Sequence, residues 1–424
     1  MHVAHDIVIS GGGIAGTTAA AALAQLNYRV LVVEPGLDHA RRLAGELIHP
    51  PGVAALRELG LLTPLQEAGA IPVSGFAVFV GDADILRYDE VAGLGESGLA
   101  IEHGTMARAL LAAVEKLPTV TVWRGARITG LDLAGPDSAN VTVNRDGRDC
   151  QLRTPLVVAA DGRNSHVRQF AGIPCKQIHI SNMTGFLIEK ACLPHPGFGH
   201  VFANGPTPAL AYAISLDQTR IMFDGPATPD GTTACLKALP EPLRSSVGSA
   251  METQAPLVAA NYWIAPAAVV KGPLVCVGDA GGCCHPVTAT GLSACARDAV
   301  RLKQSIQETG GDIPRALRRY TALREGPQRA RMAGAQVLYE VLKGGTPEMF
   351  LLRRGLLRYW KQSLRGRAAT MALLSTHDER PFAVVREYMQ VCRYALPEVG
   401  RVPKSSSAML GLPGAIFKVL KRVS

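Results

Sequence analysis

Three constellations in this 424-residue chain combine residue types and spacings that could do chemistry. The first is Gly11-x-Gly13-x-x-Gly16, with Glu34 about twenty residues beyond it. Gly11 permits a tight turn, Gly13 lets backbone approach a pyrophosphate, and Gly16 lets a helix pack closely on a strand. The helix N-terminus then faces the phosphate charge, and Glu34 can bond a ribose 2′-hydroxyl. An acid there disfavours a 2′-phosphate, so FAD or NAD is expected rather than NADP. The second constellation is Asp161-Gly162 with Ser165 and Arg168. The third is Gly278-Asp279-Ala280 with His285-Pro286, Thr288 and Gly291. Each of these two sets a carboxylate just after an apolar run, where it can bond a ribityl hydroxyl. A helix starting near Gly291 can aim its N-terminal dipole at a negatively charged ring.

The elements that must position these groups are legible as patterns. Asp6–Ser10 and Arg29–Glu34 read as buried strands flanking an Ala-rich helix, which is a βαβ opening. Helical spacing covers Leu47–Leu62, Met106–Leu117 and Gly291–Thr309, and almost everything beyond residue 313. Residues 126–160 read as a meander with an Asp-Gly turn. Strand-like runs mix with Pro/Gly-rich breaks over 180–265, and Pro273–Gly278 is a further buried strand. The predicted fold class is α/β plus α. A Rossmann-type dinucleotide domain (1–70, 101–179 and 270–330) is interleaved with a substrate-binding β-sheet domain (71–100 and 180–269). A helical region, 331–424, follows, with Ser405–Ser407 as a short linker before its last segment.

Composition narrows the function. Apolar residues make up 47% and charged residues 19%, which excludes a disordered chain. Aromatics are only 5%, which argues against a stacking platform for nucleic acid. The net charge of +9 is confined to the end of the chain: residues 1–342 hold 29 Lys/Arg and 30 Asp/Glu, residues 343–424 hold 15 and 5. A basic, apolar-rich tail suits either an anionic membrane surface or a solvated helical face. The nine cysteines are irregularly spaced with no CxxC, which fits a reducing cytoplasm. The N-terminus leads straight into a strand and does not read as a signal peptide. No apolar run reaches the ~18 residues needed to span a bilayer.

GxGxxG, then DGxxSxxR, then GD, in this order and spacing, resemble the fingerprints of the single-component (group A) flavoprotein monooxygenases. Within that group the chain is most similar to the squalene epoxidases. Gly45-Glu46-Leu47-Ile48-His49-Pro50 resembles their GELLQP, His103-Gly104 their HG, and GDAGGCCHPVT their GDAFNMRHPLT. MALLSTHDERPFAVVREYMQVCRYAL resembles their membrane-associated helical end. The resemblance implies FAD as cofactor. Gly11, Gly13, Ile14, Ala15, Gly16 and Glu34 would bind its ADP half, with Arg41 or Arg42 reaching the ribose or pyrophosphate. Asp161 and Gly162 would touch FAD and reductant, Asp279 would hold the ribityl chain, and Pro286, Thr290 and Gly291 would line the ring.

Three departures bear on the pocket. His103 stands where most of the group carry a flavin-contacting Arg, His49 replaces a Gln, and Phe76 replaces a Tyr. His49 and Phe76, together with His285 beside Pro286 as a substrate-side donor, are the expected pocket or positioning residues, His103 stays among the expected cofactor contacts, and Cys283-Cys284 is expected to be small apolar filler. The implied reaction is oxygen insertion through a flavin C4a-hydroperoxide into an apolar isoprenoid or a prenylated aromatic, a prenylated quinolone being one concrete candidate. An isolated alkene requires no general base. A phenolic substrate would gain from one, with His49 or His285 as candidates. NAD(P)H would reduce the flavin directly or through a separate reductase. An isoprenoid double-bond reductase of the geranylgeranyl-reductase type, which shares these fingerprints, is the alternative, and a non-catalytic prenyl-binding protein is the more distant one. No metal set is expected. Localisation is expected to be cytoplasmic, with the tail as a peripheral membrane contact.

Overall fold

The computed structural model describes residues 5–36, 43–80, 82–95, 97–133, 135, 137–189, 193–225, 229–401 and 405–423. Its first layer is a six-stranded sheet ordered Val270–Lys271, Leu274–Cys276, Leu156–Ala159, Ile7–Ser10, Val30–Glu34, Val120–Arg124. All pairings but the first are parallel. The three central strands are buried along their whole length, as a parallel sheet covered on both faces requires. That explains why their sequences are unbroken apolar runs rather than alternations. The Ala-rich helix Ile14–Ala24 packs on one face beside the helix Gly291–Glu308, and Ala19 to Ala22 let the two approach closely.

The meander Ala126–Asp132, Ala139–Arg145, Arg148–Thr154 covers the other face. Asp146 and Gly147 both take positive φ (52° and 76°), the backbone of the hairpin turn that an Asp-Gly pair favours.

A second, seven-stranded sheet runs Leu257–Pro266, Cys175–Glu189, Gln218–Asp224, Ala209–Ala213, Gly199–Phe202, Gly75–Val80, Asp82–Arg87. One of its faces shares a core with the C-terminal helices Ile313–Lys343, Pro347–Gln362, Leu364–Leu374, Pro381–Ala395 and Ser405–Val423. Trp360, Leu351, Leu352 and Met371 meet Leu86, Tyr88 and Met222 there. Among the described residues no helix is long and apolar enough to cross a membrane, and no cluster of three potential metal ligands occurs.

Three stretches differ from the sequence reading, one being 180–265, where the helices Pro229–Leu236 and Leu243–Thr253 interrupt the strands. Leu47–Leu62 is not one helix: Leu47–Ile48 is a strand, and the helix starts at Pro50. Pro50 and Pro51 lack amide donors and fit only a helix's first turn, so they set its start. Ser405–Ser407 is not a linker but the opening of the last helix, a place serine favours.

Candidate active site

The Gly11–Gly16 turn is built as its spacing requires. Gly11 has φ +97°, and a Cβ there would lie 2.7 Å from the Ala160 carbonyl oxygen. A Cβ on Gly16 would lie 1.8 Å from the Gly11 carbonyl oxygen, so only glycine permits this contact. Gly13 is different: among the described residues, a Cβ there would meet no atom within 4 Å. The helix N-terminus at Ile14 and Ala15 therefore opens on free space. Glu34, nearly buried at the end of its strand, accepts from the Gly12 amide at 2.5 Å and the Gly36 amide at 2.7 Å. Amide donors, an open glycine and a fixed carboxylate fit the phosphate and ribose of a dinucleotide. Arg41 and Arg42 lie outside the described residues.

The two later carboxylates converge on this turn. Asp161 accepts from the Val167 amide through Oδ2 at 3.1 Å, while its Oδ1 is buried without a partner among the described residues. Such an orphan costs free energy unless a ligand supplies the donor, and a ribityl or reductant hydroxyl fits. Gly162, at φ +83°, has no neighbour where a Cβ would stand. Arg168 donates to the Ala280 carbonyl (2.8 Å) and the Arg163 carbonyl (2.9 Å), tying the Asp161 and Asp279 segments together. A Cβ on Gly278, at φ +56°, would sit 2.8 Å from the Ala15 Cβ, so the Asp279 turn rests against the first helix. Asp298 holds that turn, accepting from the Gly278 amide and from buried Arg324.

The segment Pro286–Gly291 closes the site. Ala289 takes a left-handed φ of +51°, Thr290 precedes the Gly291 helix, and Gly291 has no neighbour within 4 Å of a Cβ position. An open helix N-terminus at that place fits a ring carrying negative charge. His49 fastens this loop. Its Nε2 donates to the Thr288 carbonyl at 2.7 Å, so its Nδ1 is an acceptor, and the Tyr88 hydroxyl donates to it at 2.8 Å. The His49 amide donates to Ser293 Oγ at 2.9 Å. Burial depresses the ring's pKa to about 4, so His49 is neutral with both nitrogens engaged. Phe76 packs against it, ring centroids 5.7 Å apart. Tyr88 was not among the expected residues. It follows a strand the sequence reading did not mark and has no motif of its own.

His285 is likewise scaffold. Its Nδ1 accepts from the Val287 amide at 3.1 Å, and its Nε2 faces Asp224 Oδ1 at 3.3 Å and Ser181 Oγ at 3.2 Å. The ring stacks on Tyr339 at 4.0 Å. Burial would raise the Asp224 carboxyl, but hydrogen bonds from His285 and Ser181 outweigh it and hold it below the usual range. His103 donates from Nδ1 to the Gly45 carbonyl at 2.9 Å, which sets Gly45 beside Leu292. The next residue, Glu46, forms a buried two-point pair with Arg220 (3.0 and 2.8 Å). Burial pushes the Cys283 and Cys284 thiols up, which fits inert filler rather than thiolate chemistry.

Beside this loop lies a mostly apolar cavity, partly open to solvent, whose empty space including its open mouth is about 820 Å³. Thr288 and Thr290 stand at one end. The walls are Ala330, Gly334 and Leu338 of the Ile313 helix, with Leu373, Val384 and Val391 of the later helices. His49, Phe76 and His285 do not line it. His49 instead holds the Thr288 carbonyl of its lining, with Phe76 of the seven-stranded sheet packed against the ring, and His285 faces Ser181 and Asp224 of the same sheet.

A squalene epoxidase family model matches residues 153–416. Squalene epoxidase erg1 of Schizosaccharomyces pombe is 26% identical over 414 residues, covering 92% of this chain and 90% of the relative. Squalene monooxygenase of Mus musculus is 27% identical over 422 residues, 92% of this chain and 71% of the relative. Among solved structures, PqsL of Pseudomonas aeruginosa, a probable FAD-dependent monooxygenase, superposes with a TM-score of 0.69. It is 22% identical and covers 80% of this chain and 96% of its own.

Proposed function

We propose that this chain, which belongs to the squalene epoxidase family and is an FAD-dependent monooxygenase, epoxidises a double bond of an isoprenoid chain laid in the helical cavity. The observation that carries the reading is the apolar cavity that opens on the Thr288–Thr290 loop. A long hydrocarbon can lie along Ala330, Gly334, Leu338 and Val384 with one double bond at the loop.

Gly11, Gly13, Ile14, Ala15, Gly16 and Glu34 would hold the ADP half of FAD, Asp161, Gly162 and Asp279 its middle, and Pro286, Thr290 and Gly291 its ring. When bound, FAD supplies the two-electron activation of O₂. One oxygen atom goes to the alkene, the other leaves as water, and NAD(P)H provides the electron pair, directly or through a reductase. The protein's own work is to orient the alkene, exclude water with apolar walls and stabilise negative charge at the Gly291 helix. Among the described residues no free general base faces the cavity: His49 and His285 lie outside its lining with both ring nitrogens engaged, and the carboxylates of its lining, Asp378, Glu379 and Glu387, are each paired with an arginine. Epoxidation of a neutral alkene, which needs none, fits better than hydroxylation of a phenol. The exposed Leu410 and Phe417 beside Lys418 and Lys421 support a peripheral membrane contact that would deliver such a substrate.

Aerobic turnover of isoprenoids under ¹⁸O₂ tests this. A product heavier by one ¹⁸O is expected. A product gaining two hydrogens, formed equally without O₂, would mean the double-bond reductase instead.

A further inference from the structure

The cavity carries four charged side chains that differ in how they are satisfied. Asp378 pairs with Arg380 at 2.7 Å, Glu379 with Arg297 and Arg301 at 2.6 and 2.7 Å, and Glu387 with Arg386 at 2.7 Å. Each acid is neutralised by an arginine that does not line the cavity. Arg331 is the fourth, and among the described residues it has no carboxylate partner. Its Nη2 donates to the Gly282 carbonyl at 3.0 Å and to Gln328 Oε1 at 2.8 Å, and its Nε to the same Oε1 at 3.3 Å. Among the described residues its Nη1 reaches only the Cys284 sulfur at 3.7 Å, a poor acceptor at a long distance. Arg331 thus lines a mostly apolar cavity that also includes Thr288 and Thr290, with the donor capacity of Nη1 unspent and no carboxylate against its charge.

A pure hydrocarbon would cover that charge while offering Nη1 no acceptor, which is costly. We propose that Arg331 reads an oxygen acceptor on the substrate: the isoprenoid carries a charged or strongly polarised oxygen head, as in a carboxylate or a vinylogous amide carbonyl. This rests on the epoxidation reading and narrows its substrate class. Arginine suits the task because its planar fork keeps two donors on the loop while presenting a third.

The test uses purified flavin-loaded enzyme and follows perturbation of the flavin absorbance on titration. The probes are farnesoic acid, a farnesylated 4-quinolone, and farnesol as the neutral chain of equal length. At least one head should bind about tenfold or more tighter than farnesol, as a charge-assisted hydrogen bond allows. Arg331→Met should erase that advantage while moving farnesol less than about threefold, and Arg331→Lys should keep most of it. Which head wins identifies the source of the oxygen. The inference is overturned if neither head beats farnesol in the wild type, or if Arg331→Met weakens all three alike or none. Should Arg331→Met fail to retain flavin, the wild-type preference and Arg331→Lys decide. Turnover under ¹⁸O₂ separates the two readings. Oxygen transfer without head preference sinks only this inference, and head-selective binding without oxygen transfer to any probe sinks only the epoxidation.

Discussion

The Tyr88 hydroxyl and His49 Nδ1 meet at 2.8 Å, with both rings shut off from water. The bond joins the short helical turn after the edge strand Asp82–Arg87 to the residue that holds the Thr288 carbonyl, and so connects the seven-stranded sheet to the Pro286–Gly291 loop through one neutral imidazole. His49 is buried as the uncharged form, with a pKa near 4 against about 6.5 when unfolded. The unfolded chain therefore binds an extra proton between those values, and stability rises with pH across that window. The contribution is fully present above about pH 6.5 and is lost as pH falls towards 4, by roughly 3 kcal/mol at most. Denaturant midpoints measured from pH 4.5 to 7.5 should slope in the wild type and slope less in His49→Gln. Buried His200, depressed in the same way, contributes equally to both proteins and leaves the difference intact. An identical slope in both would show that His49 is not the group titrating.

Gly13 and Gly16, three residues apart, should respond oppositely to alanine. At Gly13 the methyl meets no protein atom, so Gly13→Ala should keep the wild-type melting temperature of the flavin-free protein and lose flavin affinity about tenfold or more. At Gly16 the methyl collides with the Gly11 carbonyl, so Gly16→Ala should fail to fold stably whether or not flavin is present. Differential scanning fluorimetry with and without added FAD separates the two. Equal loss of flavin-free stability would remove the argument that Gly13 faces a ligand.

These glycines also mark how far the sequence could be read. The Gly11–Gly16 turn, Glu34 and the Asp161 and Asp279 segments were legible because each depends on local chemistry: a strand, a tight turn and a helix start, all within a few residues. The Asp146–Gly147 hairpin was legible for the same reason. What was not legible depends on tertiary meeting. His49 and His285 read equally well as bases, and only their partners, Tyr88 and Thr288 for one and Val287 and Asp224 for the other, show that no lone pair is free. Arg331 drew no notice among the arginines of the Ile313 helix, since nothing local distinguishes a residue whose acid partner is missing. The cavity itself is formed by helices whose amphipathic patterns state that they pack, but not against what.

Gly334 faces the cavity with only Val384 within reach, its Cγ2 4.0 Å from where a Cβ would stand. Gly334→Leu should project a side chain into the substrate path without disturbing the protein around it. The expected outcome is a fall of about tenfold or more in kcat/KM, with flavin content and flavin-free melting temperature unchanged. Unaltered steady-state kinetics in a well-folded Gly334→Leu would place the substrate elsewhere.

The last helix divides its apolar residues between two faces. Ala408, Leu412, Ala415 and Val419 recur with helical spacing and are buried against the neighbouring helices. Leu410 and Phe417 are exposed by 82% and 67%, with Met409 and Leu420 beside them. Removing the whole segment would strip the first set from the core and confound any binding measurement, whereas Leu410→Ser with Phe417→Ser leaves that set in place. Each side chain is worth roughly 1.5–3 kcal/mol when fully withdrawn from water, so even partial insertion predicts at least about a tenfold loss of vesicle affinity. Lys418 and Lys421 on the same segment predict that wild-type binding prefers phosphatidylserine-containing vesicles to neutral ones and weakens with salt. Co-sedimentation with the two vesicle types, together with melting curves showing the double variant within about 2 °C of wild type, checks both points. Undiminished sedimentation of the double variant would mean that these exposed side chains do not meet lipid.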